Sequence, residues 1–498
     1  FSSSSVNLVY GGTGSGNIDA STADTLRNAL EKVGVTVNPT LWDFYATGAG
    51  KDYTRANGGT VSTASATTAE VPWDVYTDDV KSSVAQYGDA AIVTLSRVGG
   101  EGADLSYGEF NYLALDDNEK SMLENLDSMK KNGEIKSIIV LINSANALQV
   151  DFLKNNDYDV DAALWIGDVG ISGINAVAQI LVGDVNPSGS LVDTYCYDNY
   201  SAPAMWNFTP SVYDGYVEGG DVPAKGSTYM IYQEGIYVGY KYYETAADDM
   251  NAENPGSGDE WYDSQVLYPY GYGLSYTTFD WELMPAADTA ITDPFQKLSM
   301  QVKVTNTGDV AGKEVVQVYA NPPYTKGGIE KASANLVGFA KTDLLQPGQS
   351  QTVTVDWVAQ DMASYDWNDA NANGYTGYEL EAGDYVITAR SNSHDVKLSE
   401  TYTVAAGMNC TTDYITGKEI ESLFVDDFTS VNDSLLSGMI SRATGLTQPA
   451  PASKTDREIY DDTLATLDGQ YSYRSYMDQG YEESVSYTHL TLPTKLEV

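Results

Sequence analysis

Two different hydrophobic rhythms in one chain constrain its architecture most. Up to about residue 191, short unbroken apolar runs alternate with amphipathic stretches: VNLVY (residues 6–10), DAAIVTLS (89–96), SIIVLINS (137–144) and the run at 162–166. A run without alternating polar positions buries both of its faces, which is the pattern of a parallel sheet covered by helices on both sides. The intervening stretches predict those helices. One starts near Ser21 and carries Leu26, Leu30 and Val33 on one face; a second over 119–131 carries Met122, Leu126 and Met129; a third over 171–182 is rich in Ala and Ile. From Leu298 the period changes to two, in LSMQVKVTNTG, KEVVQVYANPP, SQTVTVDWV and DYVITARS, with turns at Asn306-Thr307-Gly308, Pro347-Gly348 and Ala382-Gly383. Short half-buried strands at that spacing predict a β-sandwich. The expected fold is therefore an α/β sandwich followed by an all-β sandwich.

Between these regions, residues 193–280 are dominated by Tyr, Gly and Asn with little periodicity, and read as long ordered loops. After Met408 the chain carries scattered apolar residues, Pro449-Ala450-Pro451 and many acids, and reads as a linker. The last stretch, VSYTHLTLPTKLEV (485–498), departs from the acidic style before it and resembles translated vector or adapter sequence, so it takes no part in the functional argument.

The charge excludes whole classes of partner. Against 27 Lys and Arg stand 70 Asp and Glu, a formal net charge of −43, which repels nucleic acid and anionic membranes. No stretch approaches the roughly 18–20 apolar residues of a membrane helix. Cys196 and Cys410 are too far apart for a Cys-x-x-Cys motif, and His394 and His489 are the only imidazoles, so neither a zinc site nor another metal or cofactor is expected. A disulfide between the two cysteines stays open at this point. Low Cys and Lys, 38 Tyr and the acidic surplus suit a bacterial protein that is extracellular or on the cell surface. A chain that begins at Phe1 is compatible with an upstream signal or anchor having been removed.

Two loops could carry chemistry. RVGGEGAD (97–104) begins where the run 89–96 ends, and the carboxyl ends of parallel strands line the ligand crevice of such sheets. Glu101, flanked by Gly99, Gly100 and Gly102, is thus placed to act as a general acid if its site keeps it protonated. On spacing alone, a solvent-facing loop glutamate is the plainer reading. GGTGSGN (11–17) fails the G-x-G-x-x-G pattern and lacks a phosphate-loop lysine, but it presents the hydroxyls of Thr13 and Ser15 at the same expected edge, suited to a neutral polyol. A tight strand-to-helix turn is the alternative.

Five motifs occur in one order: GGTGSG (11–16), SRVGGEGAD (96–104), LVGDVNPSGSLVDT (181–194), YVGYKYYET (237–245) and YPYGYGLSYTTF (268–279). Together they resemble the non-barrel part of glycoside hydrolase family 3, β-glucosidase-like. VTNTGDVAGKEVVQVYANPP and LEAGDYVI resemble that family's fibronectin type III-like domain, and the likeness runs from about residue 6 to residue 405. The resemblance implies an α/β sandwich domain over 1–200, a Tyr/Gly-rich extension over 201–285, a fibronectin type III-like sandwich over 286–407, a linker over 408–484 and a non-native tail over 485–498. It further implies retaining hydrolysis of β-linked glucosides by two carboxylates roughly 5 Å apart. Glu101 falls on the acid/base position and Ser15 on a sugar-binding hydroxyl. Many members have Arg after the Asp of this motif where Leu105 stands here. The nucleophile would come from a TIM barrel that these residues do not contain; the nearest match to its motif, Tyr365-Asp366-Trp367, falls within the β-sandwich. The resemblance implies an inverted-order member cut before its barrel. The rival expectation is a non-catalytic surface or self-assembling module.

Other features carry plainer expectations. The tyrosines between residues 232 and 243 read as buried rather than stacked on sugars. An apolar, aromatic patch from the 193–280 region would drive association, including homo-oligomers. Asp248-Asp249 and Asp426-Asp427 read as solvated acidic surface. Asp369, Asn371, Asn373 and Gly374 have the spacing of a calcium loop, yet its final position is Leu380, with Glu379 and Glu381 beside it, and a polar loop of the sandwich is the favoured reading.

Overall fold

The structure is a computed structural model, and it describes residues 1–12, 16–55, 67–99, 112–206, 211–212, 228–229, 232–420 and 439–447. The chain falls into two units. One comprises Phe1–Ala202, Ile236–Phe424 and Ser441–Leu446, the other Pro203–Gly235, Val425–Ile440 and Thr447–Val498.

The first unit opens with helices α1 (Leu26–Lys32), α2 (Pro39–Ala46) and α3 (Asp78–Ser83), each started by a side-chain cap, from Thr25, Asn38 and Thr77. Then follow β1 (Ala91–Arg97), α4 (Asp117–Lys131), β2 (Ile138–Ser144), α5 (Asp151–Asn155), β3 (Ala162–Trp165), α6 (Gly173–Leu181) and β4 (Tyr195–Cys196). The strands β1, β2 and β3 form one parallel sheet in that order, with Ala91 opposite Ile138 and Ile139 opposite Ala162. Strands β1 and β2 are buried on both faces as the unbroken apolar runs require, whereas β3, at the edge, is largely exposed. One face of the sheet packs Val93, Leu95, Val140 and Ile142 on Met122, Leu123 and Leu126 of α4, and the other sets Leu141 with Leu26, Leu30, Ile174 and Ala178 of α1 and α6.

One expected strand is absent. VNLVY buries Leu8 and Val9 as anticipated, but no strand is formed at residues 6–10. The Val9 N–H and carbonyl bond to the Asn143 side chain, and the Val9 and Tyr10 carbonyls accept the N–H groups of Val169 and Gly170. The first helix also starts later than Ser21. A single tight turn at Ala20–Thr22 precedes Thr25, whose hydroxyl caps α1.

In the second unit, α7 (Pro203–Trp206) precedes a short antiparallel pair, β5 (Ser211–Val212) with β6 (Thr228–Tyr229). The Gln233 carbonyl there accepts the Ile440 N–H at 3.0 Å.

Back in the first unit, α8 (Tyr240–Glu253), α9 (Ser257–Gln265) and β7 (Val266–Tyr268) replace what the sequence suggested were loops. The buried residues of α8 are Tyr242, Tyr243, Glu244, Thr245, Ala246 and Ala247, a set of tyrosines, one carboxylate and small residues in which an aliphatic periodicity does not register. Tyr237, Tyr242 and Tyr243 are buried, in line with the structural reading of that run, whereas Tyr232 is exposed.

The β-sandwich begins at β8 (Phe279–Met284) and continues through β9 (Ala290–Ile291), β10 (Lys297–Asn306), β11 (Val315–Asn321), β12 (Asn335–Lys341), β13 (Ser350–Val358), β14 (Ser364–Asp366), β15 (Gly377–Leu380), β16 (Gly383–Arg390), β17 (Val396–Val404) and β18 (Met408–Cys410). One sheet has the order β13-β10-β8 and is antiparallel; the other is β12-β11-β16-β17-β9. Alternate residues Met300, Val302, Val304, Val353, Val355 and Trp357 of the first meet Val316, Val318, Ile387 and Ala389 of the second in one core. A small third sheet, β14-β15-β18, adds Leu380 and Cys410 to the same core. Both cysteines are free and buried, so the disulfide is not formed.

Candidate active site

The carboxyl ends of the three parallel strands gather the candidate loops. Asn143, near the end of β2 and fully buried, is the junction. Its amide oxygen accepts the Val9 N–H (2.6 Å) and the Ser96 hydroxyl (2.9 Å), and its amide nitrogen donates to the carbonyls of Val9 (3.0 Å) and Gly167 (2.6 Å). One side chain therefore ties the root of the glycine-rich turn to the ends of β1 and β3. Gly170 N–H adds a bond to the Tyr10 carbonyl at 2.8 Å. Val9, Val98 and Tyr112 then form a small apolar cluster of their own, and Val98 N–H donates to the Tyr112 hydroxyl.

Thr13, Ser15 and Glu101 themselves lie outside the described residues. Their loop roots do not. Residues 9–12 and 16 bracket the first loop and residues 97–99 and 112 bracket the second, and the Asn143 bonds and the Val9-Val98-Tyr112 cluster bring the two sets of roots to one edge. The glycine turn is pinched: a Cβ on Gly11 would stand 2.9 Å from the Gly16 carbonyl oxygen. Gly99 passes so close to the Asn146 side chain that a Cβ there would approach its amide to 2.8 Å and displace it.

Arg97 holds both ends of that second loop. Its guanidinium donates to the Ser96 carbonyl before the loop, to the Tyr112 and Ala114 carbonyls after it, and to both oxygens of Glu119 at 2.8 and 2.7 Å. Glu119 in turn closes the capping box of α4 with Asp116. Both side chains are buried, at 0% and 4% exposure. Arg55 contributes a second cation to this edge. It is 4% exposed, burial lowers its pKa to about 10, and its Nε has no hydrogen-bond partner among the described residues. Burial raises the pKa of Asp168, just beyond β3, while the charge of Arg55 pulls it back. Trp165, at the end of β3, donates its indole N–H to the Ser144 carbonyl and leaves part of its ring exposed.

Such an edge can orient a neutral polar ligand by hydrogen bonds, between a buried cation and a carboxylate, beside an aromatic face. No group of three His, Cys, Asp or Glu able to hold a metal occurs among the described residues. Sequence reasoning missed Asn143, Arg55 and Asp168. Only Asn143 left a trace, as a polar residue inside the run SIIVLINS. Asp366, of the Tyr-Asp-Trp triplet, is buried at the end of β14 with its oxygens accepting the N–H groups of Asn368, Ala370 and Asn371, so its role is to shape a hairpin.

Residues 4–240 match the glycosyl hydrolase family 3 C-terminal domain, and residues 314–393 match the fibronectin type III-like domain. A β-glucosidase of Ruminococcus albus is 34% identical over 328 residues, which are 66% of this chain and 29% of that protein. β-Glucosidase A of Butyrivibrio fibrisolvens is 33% identical over 375 residues, 68% of this chain and 40% of that protein. The chain thus spans well under half the length of these relatives. Among solved structures, a β-glucosidase from Paenibacillus barengoltzii superposes with a TM-score of 0.64 at 29% identity, covering 82% of this chain and 40% of that one. β-Glucosidase 3B from Thermotoga neapolitana, in complex with α-D-glucose, gives 0.62 at 28% identity, covering 82% and 50%.

Proposed function

Because the chain is built on the C-terminal domain of glycosyl hydrolase family 3 followed by a fibronectin type III-like domain, we propose that it forms the acid/base half of a retaining β-glucosidase. Glu101 protonates the leaving oxygen of a β-glucoside and then, as carboxylate, draws a proton from the attacking water. Ser15, with Thr13 beside it, hydrogen-bonds the sugar. The aspartate nucleophile comes from a TIM-barrel domain of the same full-length protein. The observation that carries this reading is the convergence of the two loop roots on one sheet edge through Asn143 and the Val9-Val98-Tyr112 cluster. Arg97 is a positioning residue that fixes where the Glu101 loop leaves and rejoins the scaffold. The β-glucosidase relatives support the substrate class. The acidic composition supports an extracellular or cell-surface site of action, and the exposed Ile236, Val238, Leu274 and Tyr276 support association with a partner surface or a second copy.

The test uses an aryl β-glucoside. The chain by itself should hydrolyse it no faster than buffer, and joining it to a family 3 barrel should restore turnover. In that joined protein Glu101→Gln should lower the rate by about 10² to 10⁴ for poor leaving groups and much less for a leaving group that needs no proton. Equal activity in the Glu101→Gln protein on poor leaving groups would remove the assignment. Turnover by the chain alone would reveal a second carboxylate.

A further inference from the structure

The hairpin joining β14 to β15 carries an oxygen-rich loop that the glycosidase reading does not use. Its sequence, Asp369-Ala370-Asn371-Ala372-Asn373-Gly374-Tyr375, places Asp, Asn and Asn at alternate positions followed by Gly. The structure folds these residues as such a spacing requires. The Asp369 carboxylate accepts the Gly374 N–H at 3.0 and 3.2 Å, the Asn371 amide oxygen accepts the Asn373 N–H, and the Asn373 amide oxygen accepts the Tyr375 N–H. Gly374 has φ +84°, the sharp turn for which cation loops of this pattern reserve glycine.

Loop shape alone is no site. The second, independent observation is Glu379 on β15, which is only 3% exposed. Its carboxylate is turned into the loop: Oε2 receives the amide N–H groups of Asn371 (2.9 Å) and Asn373 (2.7 Å). Its other oxygen, Oε1, is buried with no hydrogen-bond partner among the described residues. Leaving a buried carboxylate oxygen unsatisfied costs more than an ordinary unmade hydrogen bond. Its surroundings add to the strain. Buried Asp366 spends its oxygens on backbone N–H groups, and Glu381 is already paired with Lys331. Burial and these two neighbouring carboxylates raise the pKa of Glu379. A cation that accepts several oxygens at once would relieve this group, and one lysine cannot serve three carboxylates.

We propose that the 369–375 loop together with Glu379 is a calcium site, with Asp369, Asn371, Asn373, the Tyr375 carbonyl and Glu379 as its oxygen donors. Glu379 stands one position before the usual final ligand of such loops, on a strand rather than a helix, where the β14-β15 pairing fixes it relative to the loop. Calcium is favoured over magnesium because it takes six to eight oxygens in irregular geometry, whereas magnesium demands an octahedron and keeps its waters. Only two of the donor side chains are charged. That places the site with the weak extracellular class, with a dissociation constant of about 10⁻⁴ to 10⁻³ M. The bound ion would pin the β14-β15 hairpin, and with it β18, which pairs with β15.

The test uses the full chain stripped with a chelator and titrated with terbium, with Trp367, Tyr375 and Tyr378 as nearby sensitisers. One saturable luminescent site should appear, displaced by calcium and not by equal magnesium. Asn371→Ala/Asn373→Ala and, separately, Glu379→Gln should each weaken it roughly tenfold or more with an unchanged circular dichroism spectrum. The exposed Asn373→Ala change alone serves if the buried Glu379 variant does not fold. Several weak sites indifferent to these substitutions would mean that the acidic surface binds the ion non-specifically, and would overturn the proposal. Absence of saturable binding, or equal competition by magnesium, would do the same.

Discussion

Replacing Glu119 by Gln tests whether the Arg97-Glu119 pair holds the Glu101 loop in place. The two side chains are 0% and 4% exposed and joined by two short hydrogen bonds, so the substitution leaves a guanidinium buried without its counter-charge. Breaking a buried pair in this way costs about 3–5 kcal/mol. For a domain of this size each kcal/mol moves the melting temperature by roughly 2–4 °C, so a fall of roughly 6–20 °C is expected. Arg97→Met should lie at the upper end, because it also strips donors from the Ser96, Tyr112 and Ala114 carbonyls. The double variant Arg97→Met/Glu119→Leu separates the pair from the surroundings. Removing both charges should return the part of the loss that comes from the unpaired charge, since apolar replacements of buried pairs are often neutral, but not the cost of the Ser96, Tyr112 and Ala114 carbonyls that lose their donor nor about 1 kcal/mol for the α4 cap that Glu119 closes. The measurement is a double-mutant cycle in urea, with Glu119→Leu and Arg97→Met as its single variants, read alongside hydrogen exchange at residues 97–99 and 112–116. Additive losses, or a single-variant cost below about 1 kcal/mol, would show that the pair is not coupled and that the loop is positioned by something else.

His394 stacks on Tyr262 at 3.9 Å and meets Glu244, which also accepts the Tyr262 and Ser393 hydroxyls. Burial works to lower the His394 pKa, but Glu244 outweighs it and the net shift is upward. Its stabilising contribution is thus complete below its ordinary value of 6.5 and lost as pH rises through the higher folded value. The stability difference between the protein and His394→Gln should therefore shrink between about pH 6 and pH 8; a difference constant across that range would refute it. Burial pushes both the Cys196 and Cys410 thiols up to about 11. Neither should react with a disulfide reagent at about pH 8 until denaturant is added, and rapid labelling of one thiol in the folded protein would contradict this. Gly258, at the start of α9, lies where a Cβ would stand 1.9 Å from the Ala247 carbonyl oxygen of α8. Gly258→Ala should cost about 1–3 kcal/mol by forcing α8 and α9 apart, and an unchanged melting temperature would show that the contact can yield.

The sequence by itself determined the elements whose burial is periodic. β1 and β2 are unbroken apolar runs because both faces of their sheet are covered, and β10 and β13 alternate because one face meets the opposing sheet, so local pattern and final environment coincide. The order of motifs singled out Glu101 and Ser15 only as candidates, and both lie outside the described residues. Tertiary structure decided whatever depends on partners far along the chain. Residues 6–10 look like a strand, but the Val9 N–H and carbonyl are taken by the Asn143 side chain, more than a hundred residues away, and the Tyr10 carbonyl by the Gly170 N–H, so propensity had no ladder to join. Helices α8 and α9 were illegible because their buried faces are built of tyrosines and small residues, with Glu244 among them, and hold by specific ring and hydroxyl contacts such as Tyr262 with Glu244. Arg97, Glu119, Arg55 and Asp168 are ordinary charged residues in the sequence. Burial at the sheet edge gives them their roles, and burial is a property of the packed chain.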